Sequence, residues 1–130
     1  LKQYLQDYEE VYDYRNIEVT IDEQDIFNVT INESLAVALL TNLLKNAFVH
    51  NIDGGHIRIT VTKNSITFRN SGVKNPLDKE HIFERFYQGT KKEGSTGLGL
   101  AIADSICRLQ HLSIRYYFEQ KEHCFEISRQ

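Results

Sequence analysis

The chain has 130 residues, of which 41% are hydrophobic and 11% aromatic, a composition that describes one globular domain with a real core and excludes a disordered segment. Its formal net charge of -3, with both signs interspersed, argues against non-specific nucleic-acid binding, so nucleic acid is not an expected partner. Cys107 and Cys124 lack metal-ligand spacing and are too few for a disulfide scaffold, so both read as buried thiols in a reducing compartment. The chain starts at Leu1, contains no methionine, and carries neither a leader pattern nor an apolar run long enough to span a membrane. It therefore reads as a soluble piece of a longer protein, with no direct membrane contact of its own.

Residues 1–14 place Leu1, Tyr4, Leu5, Tyr8, Val11 and Tyr12 on one face, the pattern of an amphipathic helix whose tyrosine stripe packs against the core. A ligand-stacking role for those rings is the alternative. Ile17 to Ile21 alternates as a strand, and Ile26 to Ile31 predicts a short second strand beyond an acidic turn. Asn32 is placed to cap a helix running to Asn51 that is apolar on nearly every face and therefore buried. Asn42, Asn46 and His50 interrupt it at i, i+4, i+8 spacing. Amide groups in so apolar a helix are costly unless something satisfies them, either the backbone of a loop or a ligand. In the ligand reading, an amide oxygen coordinates a hard cation such as Mg²⁺ that takes its other oxygens from water and phosphate.

Asp53-Gly54-Gly55 marks a turn, and Ile57 to Thr62 and Ser65 to Arg69 predict two strands joined at Lys63-Asn64. Asn70-Ser71-Gly72 ends the second. Residues 72–96 form a long connection with the chain's single proline, Pro76, and one apolar cluster, Ile82-Phe83-Glu84-Arg85-Phe86-Tyr87. Length alone makes such a connection a candidate lid. Glu93-Gly94-Ser95-Thr96-Gly97-Leu98-Gly99-Leu100 then runs into an apolar helical pattern that puts Gly97 where a loop becomes a helix. Free N–H groups, closely approachable glycine backbone and a partial positive charge make such a helix start suited to phosphate. A plain chain-turning loop is the alternative. Leu112 to Phe118 and a strand closing at Phe125 and Ile127 complete a final hairpin around Lys121-Glu122.

Four of these stretches, in this order and spacing, resemble the boxes of sensor histidine kinases. Asn42-Leu43-Leu44-Lys45-Asn46-Ala47 is similar to the N box, Asn70-Ser71-Gly72 to the G1 box, Phe83-Glu84-Arg85-Phe86-Tyr87 to the F box, and Ser95-Thr96-Gly97-Leu98-Gly99-Leu100 to the G2 box. The resemblance covers nearly the whole chain and implies a single catalytic and ATP-binding domain over residues 1–130, with an ATP lid at about 73–96. It implies a Bergerat-type α/β sandwich: a mixed, mostly antiparallel sheet with three helices on one face, adenine lying between the Asn42 helix and the sheet. In similar domains the residue matching Asn46 ligates Mg²⁺, while those matching Asn42 and the G2 backbone, Thr96 to Leu100, approach the phosphates of ATP. His50, Asn70, Gly72 and Phe83 are the remaining nucleotide-binding candidates, and Arg85 joins Asn42 and Asn46 as a catalytic candidate.

The departures from the pattern are specific. Asn70 stands where relatives carry an aspartate that accepts the adenine amino hydrogen, and Val73-Lys74 follow Gly72 where a second glycine is usual. An amide oxygen can still accept that bond, without the help of charge. Ser95 replaces the first G2 glycine. Val49 stands where many relatives place a basic residue, leaving Lys45, Arg85, Lys91 and Lys92 as candidates to face phosphate.

The resemblance implies transfer of the γ-phosphoryl group to a histidine on a separate helical dimerisation domain, and indirectly to a response regulator, in the cytoplasmic part of an inner-membrane sensor. None of the five histidines sits in an acceptor pattern. His50 is the one expected to see ligand, whereas His81 and His123 read as ordinary surface residues. Two alternatives stay open. A splitting ATPase of the same superfamily needs a glutamate where this chain has Asn42, and an amide cannot act as general base. A weakly nucleotide-binding or non-catalytic docking module is the other, suggested by the altered G1 box.

Overall fold

In the computed structural model, residues 2–85, 87 and 97–130 are described, the side chains of residues 2–4 and 11 excepted. Three α-helices, α1 (Lys2–Val11), α2 (Glu33–Val49) and α3 (Gly99–Leu109), accompany five strands. These are β1 (Glu18–Glu23), β2 (His56–Val61), β3 (Ser65–Asn70), β4 (Leu112–Glu119) and β5 (Glu122–Arg129). They form one sheet of order β1-β2-β3-β5-β4, in which β1 runs parallel to β2 and the other neighbours are antiparallel. The mixed, mostly antiparallel sheet is the one expected.

One face of the sheet is apolar because alternate residues point the same way. Ile57, Ile59, Phe68, Phe125 and Ile127 share a single core with Leu39, Leu43, Leu44 and Phe48 of α2 and with Ala103 and Ile106 of α3. Leu5 of α1 joins that core, and Tyr8 and Tyr12 stack on Phe48 at 6.1 and 5.4 Å, so the tyrosines are packing residues. Leu1 and the side chains of Tyr4 and Val11 lie outside the described residues. The helical run is also shorter than residues 1–14, giving way to a 3₁₀ turn at Asp13–Arg15.

The expected strand over Ile26 to Ile31 is not part of the sheet. Its alternation is real, since Phe27, Val29 and Ile31 pack on the core while Ile26 is exposed. A strand also needs a ladder partner, and this segment pairs with neither edge strand, β1 or β4. The segment is held instead by Arg129, whose guanidinium donates to the Asn28 carbonyl at 2.8 Å and lies over the Phe27 ring.

The first part of the long connection is anchored. Ile82 is buried, Leu77 and Phe83 pack on the core, and Ile82 N–H donates to the Asp78 carbonyl at 2.9 Å. Phe86 and residues 88–96 lie outside the described residues. Both cysteines are buried free thiols.

Candidate functional site

Asn32 caps α2 as expected, its side-chain oxygen accepting from Leu35 N–H at 3.1 Å. The helix carries Asn42, Asn46 and His50 along one half-buried stripe between fully buried neighbours. Asn42 Nδ2 donates to the Ala38 carbonyl at 2.7 Å, which turns its oxygen the other way. That oxygen meets the start of α3: a Cβ added to Gly99 would stand 3.2 Å from Asn42 Oδ1. The N-box and G2 stretches, far apart in the chain, are thus in contact. Gly97 has φ +75°, a left-handed conformation that other residues adopt only with strain, and α3 follows from Gly99 with no capping bond from the side chain of Leu98 before it. Thr96 lies outside the described residues, as do Ser95, Lys91 and Lys92.

Asn70 ends β3 and is 2% exposed. Its Nδ2 donates to the Ser71 carbonyl at 2.7 Å, and its Oδ1, buried, has no hydrogen-bond partner among the described residues. The Ser71 carbonyl decides the orientation, since turning the amide over would set two acceptors against each other. A buried amide oxygen left unpaired costs about 1–3 kcal/mol, so this atom marks a place where a donor is missing. Gly72 beside it is tightly enclosed, with a Cβ there lying 3.0 Å from both His123 Cδ2 and the His50 carbonyl oxygen. His50, half-buried at the end of α2, therefore meets the G1 stretch through its backbone.

The junction beneath these residues is set by side chains the sequence reading passed over. Asn51, fully buried, donates from Nδ2 to the Ala47 and His56 carbonyls, each at 3.0 Å, and accepts from Ser71 Oγ at 2.5 Å. A Cβ on Gly55 would collide with Asn51 Oδ1 and Ser71 Oγ, so glycine is required there for close approach. Arg15 closes the end of α2, donating to the Phe48, Val49 and Asn51 carbonyls at 2.5, 3.4 and 2.6 Å and pairing with Asp53 at 2.8 Å. A cation on the last carbonyls of a helix also complements its dipole.

His123 corrects the sequence reading. It is 3% exposed, not a surface residue, because β5 places it on the core side of the sheet next to Asn70 of β3. Of the basic candidates, Lys45 and Arg85 are exposed, while Val49 is buried, so position 49 is a core position here. Phe83 sets its ring edge-on to Phe125, with centroids 6.3 Å apart, and so is at least in part a packing residue.

A mixed sheet under helices, with two asparagine-bearing stretches and a glycine-flanked helix start at one end, defines an α/β domain of the nucleotide-binding ATPase class. Residues 31–128 match the model of the histidine kinase-, DNA gyrase B- and HSP90-like ATPase family, and the chain belongs to that family. It is 43% identical over 84 residues to the sensor histidine kinase RppB of a Synechocystis species, covering 58% of this chain and 18% of that protein. It is 36% identical over 109 residues to the heme sensor protein HssS of Staphylococcus aureus, covering 80% of this chain and 24% of that protein. The chain thus spans a quarter or less of these relatives. The catalytic domain of histidine kinase ThkA, in a nucleotide-free form, superposes with a TM-score of 0.79 over 98% of this chain and 90% of its own at 24% identity. ThkA in complex with the response regulator TrrA gives 0.77 over 97% of this chain and 37% of its own, at 23% identity. These structures share the fold. No helix among the described residues is long and apolar enough to cross a membrane.

Proposed function

We propose that this domain binds Mg-ATP and is the phosphoryl-donor domain of a sensor histidine kinase, acting on a histidine of a separate helical dimerisation domain in the same parent protein. The observation that carries the reading is the buried, unpartnered Asn70 Oδ1, held facing away from the Ser71 carbonyl. An adenine amino group is the donor it lacks. Asn46, half-buried with no side-chain hydrogen bond among the described residues, keeps its oxygen for Mg²⁺. Asn42, Gly97, Leu98, Gly99 and Leu100 form the phosphate end, where the partial positive charge at the start of α3 offsets negative charge. Thr96 and Arg85 are further candidates there, and His50 and Phe83 for the walls.

When bound, ATP supplies the transferable group and Mg²⁺ offsets its charge. The protein's own part is positioning and electrostatics, since neither Asn42 nor Asn46 can take a proton from water. That favours donation to a histidine over steady hydrolysis. A response regulator is the onward acceptor, and residues 73–96 are the lid. In this reading the domain works in the cytoplasm, on the inner side of a membrane-bound sensor.

Calorimetric titration with ATP, with and without Mg²⁺, tests the proposal. Wild type is expected to bind ATP more tightly with Mg²⁺, and Asn46→Ala to lose the Mg²⁺ dependence while its circular dichroism spectrum and melting stay native. Equal affinities for the two proteins in Mg²⁺ would remove Asn46 as ligand, and absence of binding by wild type would favour the docking-module reading.

A further inference from the structure

The backbone leaving β3 is tied to the β4–β5 hairpin by two side chains that no box motif includes. His123 Nε2 lies 2.7 Å from the Val73 carbonyl oxygen and His123 Nδ1 lies 2.7 Å from Tyr116 Oη. Tyr116 Oη in turn accepts the Leu77 N–H at 2.9 Å. A carbonyl only accepts, so Nε2 carries the imidazole proton. Nδ1 is then a lone pair, and the tyrosine hydroxyl donates to it. Every polar atom is satisfied in this one arrangement, with neutral histidine. The relay thereby holds both ends of the arc from Val73 to Leu77, and the His123 ring also closes one side of Gly72.

A protonated ring does not fit the same frame. Nδ1–H would turn toward Tyr116 Oη, whose own proton would lose its acceptor inside a buried site. Among the described residues, the elements around the ring offer no counter-charge. Facing it are Tyr116 and Phe118 of β4, with ring centroids at 5.9 and 4.9 Å, the neutral amide of Asn70 on β3, and the backbone of Gly72 and Val73. From α2 the nearest approach is the His50 carbonyl, across Gly72. Burial holds the His123 pKa below its ordinary value of 6.5, with the bond to Val73 opposing. Burial also raises the pKa of Tyr116, with the bond from Leu77 opposing and Cys124 and Tyr87 adding to the rise, so the phenol stays protonated.

We propose that His123 is a positioning residue for the nucleotide site: neutral, it holds Val73 and, through Tyr116, Leu77 against the strand end that carries Asn70, and protonation of its ring, which keeps the bond to Val73, releases the Leu77 end of that arc through Tyr116. The proposal rests on the nucleotide-binding reading above, and it predicts Mg-ATP affinity that falls on acidification with the titration of one buried histidine.

Nuclear magnetic resonance of the nucleotide-free protein, followed by Mg-ATP titrations across the same pH range, tests it. The His123 ring protons report the midpoint. The Leu77 amide protection factor, corrected for intrinsic exchange, is expected to fall about tenfold at that midpoint, the factor for one hydrogen bond of ordinary net strength. Tyr116→Phe keeps the ring stack but has no acceptor for Leu77, so its protection is expected to be low at every pH. Its Mg-ATP affinity should lose the histidine-linked component that remains in wild type once titration of ATP itself, common to both, is subtracted. Leu77 protection that persists while His123 titrates, or an unchanged pH profile of binding in Tyr116→Phe, overturns the proposal. Failure of wild type to bind Mg-ATP at neutral pH overturns the nucleotide reading instead, and the relay then stands or falls on the Leu77 amide alone.

Discussion

Asn70 shows how one residue carries both cost and use. A carboxylate here would keep an oxygen toward the pocket, but its second oxygen would replace the Nδ2 that donates to the Ser71 carbonyl. We therefore expect Asn70→Asp to lower the stability of the nucleotide-free domain by about 2 kcal/mol, the loss of one buried bond plus an acceptor facing an acceptor. The same change should widen the preference for ATP over GTP, because an ionised carboxylate has no donor for the guanine carbonyl. Urea melts read the first effect and titrations with both nucleotides the second; an unchanged ATP/GTP ratio would take adenine away from this position. Wild type is expected to discriminate as well, since turning the amide toward guanine sacrifices the Ser71 bond. Cys107 gives a second residue-scale expectation. Burial, with Asp104 adding to it, pushes its thiol up to about 11, which at pH 8 leaves roughly one thiolate in a thousand. Iodoacetamide at pH 8 should leave native Cys107 unmodified and label it once urea unfolds the domain, whereas rapid labelling of folded protein would contradict the burial argument.

At the scale of elements, the end of α2 is held by Arg15 more than by the ion pair that accompanies it. The guanidinium, 12% exposed, reaches three main-chain carbonyls, whereas its partner Asp53 is 80% exposed. Arg15→Ala is thus expected to cost about 2–3 kcal/mol by leaving those carbonyls without their donor, and Asp53→Ala about 0.5 kcal/mol, as for an exposed ion pair. Denaturant unfolding of the two variants checks the ratio, and equal losses would return the effect to the salt bridge. The β4–β5 turn points the other way. Gln120 and Lys121 have φ of 51° and 64°, the mirror-image turn that favours Asn-Gly, yet neither is a residue that takes that conformation freely. Replacing the pair by Asn-Gly should raise stability by about 0.5–1 kcal/mol, read by melting temperature. The sequence placed this turn at Lys121-Glu122, one residue late, because nothing in Gln-Lys signals a positive φ.

For the molecule as a whole, what could be read in advance was what repeats locally or is chemically costly. Apolar periodicity located α2, α3 and four of the strands closely, and amides set in an apolar helix pointed to Asn42 and Asn46. Pairing across the chain was not readable: residues 26–31 have a strand's alternation but join no ladder, and Arg15, Asn51, Tyr116 and His123 gain their roles from partners 7 to 50 residues away. His123 then sets a property of the entire fold, its stability in acid. The group has an ordinary value of 6.5 once unfolded and a lower one when buried in the folded domain. Between these two values the unfolded chain binds the extra proton, so stability rises with pH there. The contribution of this histidine is accordingly full above about 6.5, is lost as pH falls toward the folded value, and levels off below it. His123→Gln, which cannot titrate, should be less stable than wild type at neutral pH, having lost the relay, yet flatter in its pH dependence, so that the two curves converge on acidification. Urea denaturation of both proteins from about pH 7.5 to about pH 5 measures this difference, in which the other titrating groups cancel. Parallel curves for the two proteins would mean that His123 is not the residue that makes the fold acid-sensitive.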